Sequence, residues 1–191
     1  MLTAIQPVVL VGGQSLRFGR DKLREPVRVD GDEWLVDRPI RALREVFGAR
    51  VALVGHCDPA VAARGDLVLA DPYPGSGPAG GILAALEQVT GDVFVLAGDL
   101  PNITARTVRT LLHAIESTDD EALSPWVVLA QADGVHPCVG LYRRAILPLL
   151  TERLRAGRRS LHDLAPPARR RLITVEARDV HNVNSPDALE P

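Results

Sequence analysis

The sequence predicts one three-layer α/β domain in which helices cover both faces of a mostly parallel sheet. Short apolar runs alternate with amphipathic stretches in which apolar side chains recur every three or four positions. The first four runs end at Gly or at Asp-Pro, as buried parallel strands do where they enter a loop. The 191 residues, 46% of them apolar and 24% charged, suffice for a single domain over 1–191.

Periodicity predicts the individual elements. The predicted strands span residues 8–11, 51–54, 67–70, 93–97, 126–130 and 139–142. The predicted helices span residues 34–47, 80–89, 104–117 and 145–155. Thr104 is suited to cap the third helix, and Pro148 falls in the first turn of the fourth, where a missing N–H costs least. Residues 156–171, rich in Gly, Pro and Arg, are predicted to be a mobile surface segment.

Charge and composition exclude several classes of protein. Lys and Arg total 22 against 24 Asp and Glu, a formal charge of −2, so a basic nucleic-acid binder is not expected. Cys57 and Cys138 form neither a disulfide framework nor a clustered metal site. Because no apolar run approaches the ~20 residues of a membrane span, we expect a cytoplasmic protein that binds no membrane.

The loop after the first strand has the composition of a phosphate site. It reads Gly12-Gly13-Gln14-Ser15-Leu16-Arg17-Phe18-Gly19-Arg20-Asp21-Lys22 and lies where ligands of doubly wound sheets bind. Its glycines allow backbone N–H groups to face anionic oxygens, and Arg17 and Lys22 add positive charge. Lys22 is the only lysine of the chain, and its compact ammonium suits a phosphate or a neighbouring metal. The loop is not a Walker A motif, because no Gly-Lys-Ser/Thr closes it.

Two further loops at the same edge of the sheet carry glycines and carboxylates. After the third strand, Gly75, Gly77 and Gly80 fit a dinucleotide fingerprint, with Asp99 at the position of a ribose-binding acid. Residues 71–74 count against that interpretation, because Asp71-Pro72-Tyr73-Pro74 separates the strand from the glycines. After the fourth strand, Asp99 is placed to hold Mg²⁺, which needs one or two carboxylates besides phosphate oxygens and water.

These segments resemble, in order, the motifs of the MobA-like nucleotidyltransferases. Residues 10–22 resemble the LAGGxSxRMGxDK signature, residues 77–81 the GPLAG segment, and residues 98–101 the CDMP segment. The HP, GLY and NxNTP elements of the molybdenum cofactor guanylyltransferases are matched by His136-Pro137, Gly140-Leu141-Tyr142 and Asn182-Val183-Asn184-Ser185-Pro186. The resemblance implies a Rossmann-like fold of the nucleotide-diphospho-sugar transferase type.

The resemblance also implies a reaction, the transfer of GMP from Mg-GTP to the terminal phosphate of molybdopterin. That phosphate is already anionic at neutral pH, so positioning and charge neutralisation are needed rather than an activated nucleophile. The expected catalytic residues are Lys22 and Arg17. The expected nucleotide contacts are Leu10, Gly12, Gly13, Ser15, Lys22, Asp71 and Asp99. The expected acceptor contacts are Asn182 and Asn184, and the expected Mg²⁺ ligand is Asp99.

Several alternatives stay open at this point. Val54-Gly55-His56 stands where a family member has a nucleobase-contacting asparagine, which leaves room for cytidylyl transfer to molybdopterin or nucleotidyl transfer to a sugar or alcohol phosphate. A nucleotide-binding module without turnover is a hypothesis from another class. Residues 134–171, with nine arginines against Glu152 and Asp163, suit an anionic pterin phosphate or docking to a molybdoenzyme or its chaperone. His136 and His162 are interpreted as structural hydrogen bonders.

Overall fold

Seven strands form a single sheet in a computed structural model that describes residues 4–12, 21–27, 31–48, 50–116 and 124–183. The strands are β1 (Ile5–Leu10), β2 (Ala52–Val54), β3 (Leu67–Leu69), β4 (Asp92–Ala97), β5 (Val127–Gln131), β6 (Val135–Tyr142) and β7 (Arg170–Thr174). Their order across the sheet is β3-β2-β1-β4-β6-β5-β7. Only β6 runs antiparallel to its neighbours β4 and β5 among these strands, because a three-residue connection joins β5 to β6. The predicted mostly parallel sheet is confirmed.

Helices cover both faces of this sheet. They are α1 (Asp37–Phe47), α2 (Pro59–Ala62), α3 (Gly77–Gln88), α4 (Ala105–Glu116) and α5 (Leu147–Arg155). α1 packs against α4 on one face, and α3 packs against α5 on the other. Successive residues of β1 point to opposite faces, so Val9 joins the core under α1 and α4 while Val8 joins the core under α3. None of the helices in the described ranges has the length and apolar character to cross a bilayer.

The predicted α1, α3, α4 and α5 are confirmed, with bounds that differ by at most three residues from those predicted. Thr104 caps α4, since its Oγ1 accepts a hydrogen bond from the N–H of Thr107 (3.2 Å), and Pro148 lies in the first turn of α5. β1 begins three residues before the predicted strand. Pro7 lies in the part of β1 that pairs only with β4, which makes its missing donor easier to accommodate.

The prediction that residues 156–171 form a surface segment is wrong at three positions. Leu161, Leu164 and Ala165 are buried in the core beneath α3 and α5, and each buried leucine contributes roughly 1.5–3 kcal/mol. The guanidinium of the buried Arg153 donates to the carboxylate (2.8 Å) and to the carbonyl oxygen (3.1 Å) of Asp163. The Gly, Pro and Arg content concealed three apolar anchors, and it also concealed the start of β7, which was not predicted.

Candidate active site

Lys22 lies at the start of a short 3₁₀ turn, Lys22–Arg24, that is fixed to the core by the buried Leu23. The Lys22 amine donates to Asp99 Oδ2 (2.5 Å) and to the carbonyl oxygen of Val183 (3.2 Å). Three segments that are far apart in the sequence therefore meet at one ammonium group.

Asp99 is positioned by the close approach of the end of β4 to the end of β1. The N–H of Gly98 donates to the carbonyl oxygen of Leu10 (2.9 Å), and a Cβ on Gly98 would lie 3.0 Å from that oxygen and 3.1 Å from a methyl carbon of Leu23. Glycine therefore suits this position, where the family pattern has cysteine. The Asp99 side chain is largely removed from water and pairs with the Lys22 ammonium.

The segment 181–183 lies across the tip of β4. The N–H of Val183 donates to the carbonyl oxygen of Asp99 (3.0 Å), while the Val183 carbonyl accepts from Lys22. Val183 is itself buried, which anchors the segment. The partly buried Asn182 is thereby held next to Val183, which contacts both Lys22 and Asp99.

The first loop leaves β1 directly against the loop that follows β2. The N–H of Val11 donates to the carbonyl oxygen of Val54 (2.9 Å), and Gly12 then faces Gly55. A Cβ on Gly55 would lie 2.4 Å from the Gly12 nitrogen, and its φ of +114° disfavours other residues independently. Gly55 is thus required for the approach of the two loops, a role that the sequence pattern did not reveal.

The predicted site residues fall into three groups. Lys22 and Asp99 are in direct contact, Leu10 accepts a hydrogen bond from the residue before Asp99, and Asn182 precedes Val183. Gly12 follows the end of β1 and faces Gly55. Asp71 follows the edge strand β3, three strand spacings or about 14 Å from β4, and its Oδ1 accepts from the N–H of Tyr73 (2.9 Å). The remaining residues lie outside the described parts of the chain: Gly13, Ser15, Arg17 and Asn184.

β6 carries a histidine and a cysteine, His136 and Cys138. His136 Nε2 lies 3.1 Å from Asp133 Oδ1, and this hydrogen bond lowers the pKa of Asp133, as the structural interpretation of His136 predicts. Burial, with a smaller effect from the Asp99 charge, raises the pKa of Cys138 to about 12, so the thiol is neutral at physiological pH. The described residues include no cluster of three or more His, Cys, Asp or Glu side chains able to hold a metal ion.

Many arginines of residues 134–171 are engaged within the domain. Five of the nine donate to backbone carbonyl oxygens: Arg144, Arg153, Arg169, Arg170 and Arg171. A sixth, Arg159, donates to the carbonyl oxygen of Gly75 (2.8 Å), which ties the segment after α5 to the loop before α3. Much of the positive charge in this region therefore stabilises the fold.

Residues 7–172 match the MobA-like NTP transferase domain, a span that includes both Lys22 and Asp99. The chain belongs to the MobA-like NTP transferase family. A protein of Opitutus terrae named "Probable molybdenum cofactor guanylyltransferase" is 33% identical to this MobA-like chain over 180 residues, covering 92% of the chain and 85% of the relative.

Solved structures of similar proteins establish the fold of this MobA-like chain. Molybdopterin-guanine dinucleotide biosynthesis protein A from Archaeoglobus fulgidus has a TM-score of 0.71 at 21% identity, covering 96% of this chain and 94% of that one. A protein of Mycobacterium tuberculosis in complex with manganese has a TM-score of 0.63 at 20% identity, covering 99% and 98%. The seven-stranded sheet is thus of the nucleotide-diphospho-sugar transferase type, as the resemblance implied.

A divalent metal fits the residues present. Asp99 supplies one carboxylate that is largely removed from water and already bound to a cation, the Lys22 ammonium. Mg²⁺ is satisfied in proteins by one or two carboxylates together with substrate phosphates and water.

Proposed function

We propose that this MobA-like protein transfers GMP from Mg-GTP to the terminal phosphate of molybdopterin, giving the guanine dinucleotide cofactor and pyrophosphate. The contact of Lys22 with both Asp99 and Val183 carries the proposal. It joins the predicted phosphate-binding turn, the predicted metal ligand and the segment of the predicted acceptor contact Asn182. The name of the Opitutus terrae relative supports the choice of reaction.

Lys22 is the cation that binds the triphosphate. Its amine already has an anionic partner in Asp99, so phosphate oxygens can replace that carboxylate without leaving the ammonium unpaired. The N–H groups of the first loop, from Gly12 onward with Gly13 and Ser15, donate to oxygens nearby, and Arg17 adds a second cation. Asp71 contacts the ribose or base side of the nucleotide.

Asp99 holds Mg²⁺ in this proposal, and the ion, when bound, neutralises charge on the α-phosphate and the departing pyrophosphate. The acceptor phosphate needs no base, because it is already an anion at neutral pH. The neutral Cys138 thiol and the hydrogen-bonded His136 agree with a site that lacks an activated nucleophile. Asn182 and Asn184 orient the pterin through their amide donors and acceptors.

Isothermal titration with GTP, CTP and ATP in the presence of Mg²⁺ tests the nucleotide. GTP is expected to bind most tightly, whereas tighter binding of CTP would convert the proposal to cytidylyl transfer. Product formation from GTP and molybdopterin tests the reaction itself. Lys22→Ala is expected to abolish it while the circular dichroism spectrum is retained, and activity near that of the unmodified protein would eliminate the assignment of Lys22 to the phosphates.

A further inference from the structure

We propose that Asp21 is a positioning residue that holds the Lys22 turn in register with the loop after β2 and thereby sets the discrimination between nucleotides by phosphate number. This inference rests on the proposed function, because it takes Lys22 as the phosphate-binding cation.

The two carboxylate oxygens of Asp21 bind two different segments. Oδ1 accepts from the N–H of Leu23 (3.1 Å), which fixes the turn that begins at Lys22. Oδ2 accepts from the N–H of Asp58 (3.1 Å), at the end of the loop that follows β2. The second contact uses the backbone of Asp58, because the Asp58 side chain caps α2 through Ala60 (2.7 Å) and pairs with Arg24 (3.0 Å). One carboxylate therefore bridges the two segments.

The segment at the far end of this bridge also contacts the start of the phosphate loop. Gly55 lies directly against Gly12, so the loop after β2 determines where the Gly12 N–H sits. Cys57 precedes Asp58 in this loop, and burial, followed by the charges of Asp21 and Asp58, raises the pKa of its thiol. Through these contacts, Asp21 fixes the position of the Lys22 turn relative to the backbone at Gly12. The Lys22 amine and that backbone are the two groups proposed to hold one triphosphate.

Asp21→Asn breaks the bridge with little change in volume. Whichever way the amide is oriented, its NH₂ group meets one of the two N–H donors, and that donor loses its acceptor. The affinity for GTP relative to GMP is expected to fall roughly tenfold, since a charge-assisted contact to the outer phosphates is misplaced. Affinity for GMP itself is expected to change by less than about twofold, because GMP lacks the outer phosphates that make this contact. Both are measured by calorimetry with Mg²⁺ present.

Asp58 provides the matched variants. Asp58→Ala removes the helix cap and the pair with Arg24 but keeps the backbone donor, so the GTP/GMP ratio is expected to be unchanged. Asp58→Pro also removes that donor, and the φ of −56° at this position is one that proline accepts. This variant is expected to lower the GTP/GMP ratio as Asp21→Asn does. The pair of Asp58 variants decides the question if Asp21→Asn does not fold.

The outcomes separate this inference from the proposed function. An unchanged GTP/GMP ratio in Asp58→Pro and in any folded Asp21→Asn protein, alongside a lowered ratio in Lys22→Ala, overturns the positioning role of Asp21 alone. An unchanged ratio in Lys22→Ala overturns the phosphate role of Lys22 and, with it, the proposed function. A combined Asp21→Asn and Asp58→Pro protein that loses no more than either single variant supports a shared contact.

Discussion

Replacing Lys22 with methionine is expected to strengthen the binding of a divalent metal alone while weakening the binding of the metal with GTP. The Lys22 amine bonds to Asp99 Oδ2 at 2.5 Å, so a metal ion that arrives without nucleotide must displace it. In the proposed function, phosphate oxygens replace Asp99 at the amine when GTP is bound. The lysine therefore opposes binding in one case and supports it in the other.

The size of the effect follows from the ion pair. Two unit charges 2.5 Å apart attract by roughly 6–7 kcal/mol at an effective dielectric constant of 20. The side chains of Lys22 and Asp99 keep 21% and 13% of their surface exposed, so screening and renewed hydration reduce the net value. We therefore expect that displacing the amine costs an incoming metal ion about 1–2 kcal/mol, a value between those for exposed and buried ion pairs. This cost corresponds to roughly 5- to 30-fold in the affinity for the metal.

Manganese titration followed by electron paramagnetic resonance measures this difference directly. Mn²⁺ alone is expected to bind Lys22→Met more tightly than the unmodified protein, and Mn-GTP to bind it less tightly. Arg24→Met is the matched control, because Arg24 lies in the same turn but pairs with Asp58, and it is expected to leave the Mn²⁺ affinity unchanged. Unchanged Mn²⁺ binding by Lys22→Met would refute competition between the amine and the metal for Asp99.

Three further substitutions test contacts at the loop after β2 and elsewhere in the fold. Gly55→Ala should lower the thermal midpoint more than Gly48→Ala, since Gly48 also has positive φ but nothing within 4 Å of an added Cβ; equal losses would contradict the Gly55 contact. Arg153→Ala should cost about 2–3 kcal/mol in urea unfolding through its lost hydrogen bonds, and a loss under about 0.5 kcal/mol would contradict the anchoring of residues 156–165. The Val51 N–H, followed by Arg44, holds the pKa of Asp66 below its usual value. That stabilisation is present above about pH 4 and is lost as pH falls through the folded pKa. The loss of unfolding free energy caused by Asp66→Asn at pH 7 should therefore be smaller at pH 3. An equal loss at both pH values would exclude this contribution of Asp66.

The sequence predicted the layers of the fold because burial on both faces of a parallel sheet leaves a visible pattern. Val8 and Val9 are both completely buried, although they point to opposite faces, so residues 8–11 form a continuous apolar run. The sequences of α1 and α4 show an apolar stripe along one side of each helix, because each helix covers only one face of the sheet. The segment after α5 escaped prediction, because its anchors Leu161 and Leu164 are separated by residues typical of loops.

The candidate site was predicted as a set of residues and not as a set of contacts. Composition identified Lys22, and strand ends identified Asp99, because each signal lies within a few neighbouring positions. The bridge from Asp21 to the backbone of Asp58 leaves no such signal, since a backbone N–H carries no sequence information. The contact of Lys22 with the Val183 carbonyl is hidden for the same reason.

Strand order determines the path by which the segment near residue 183 reaches the Lys22–Asp99 pair. β7 lies at the edge of the sheet, three strand spacings from β4, so the chain after it must travel back about 14 Å to reach Asp99. The return is fixed at two points, by the bond from Thr107 Oγ1 to Asp179 Oδ2 (2.5 Å) on α4 and by the burial of Val180. After these two points the chain reaches Val183, which contacts Asp99 and Lys22. The proposed acceptor contact at Asn182 therefore depends on the packing of the far edge of the sheet, which the nucleotide loops alone do not determine.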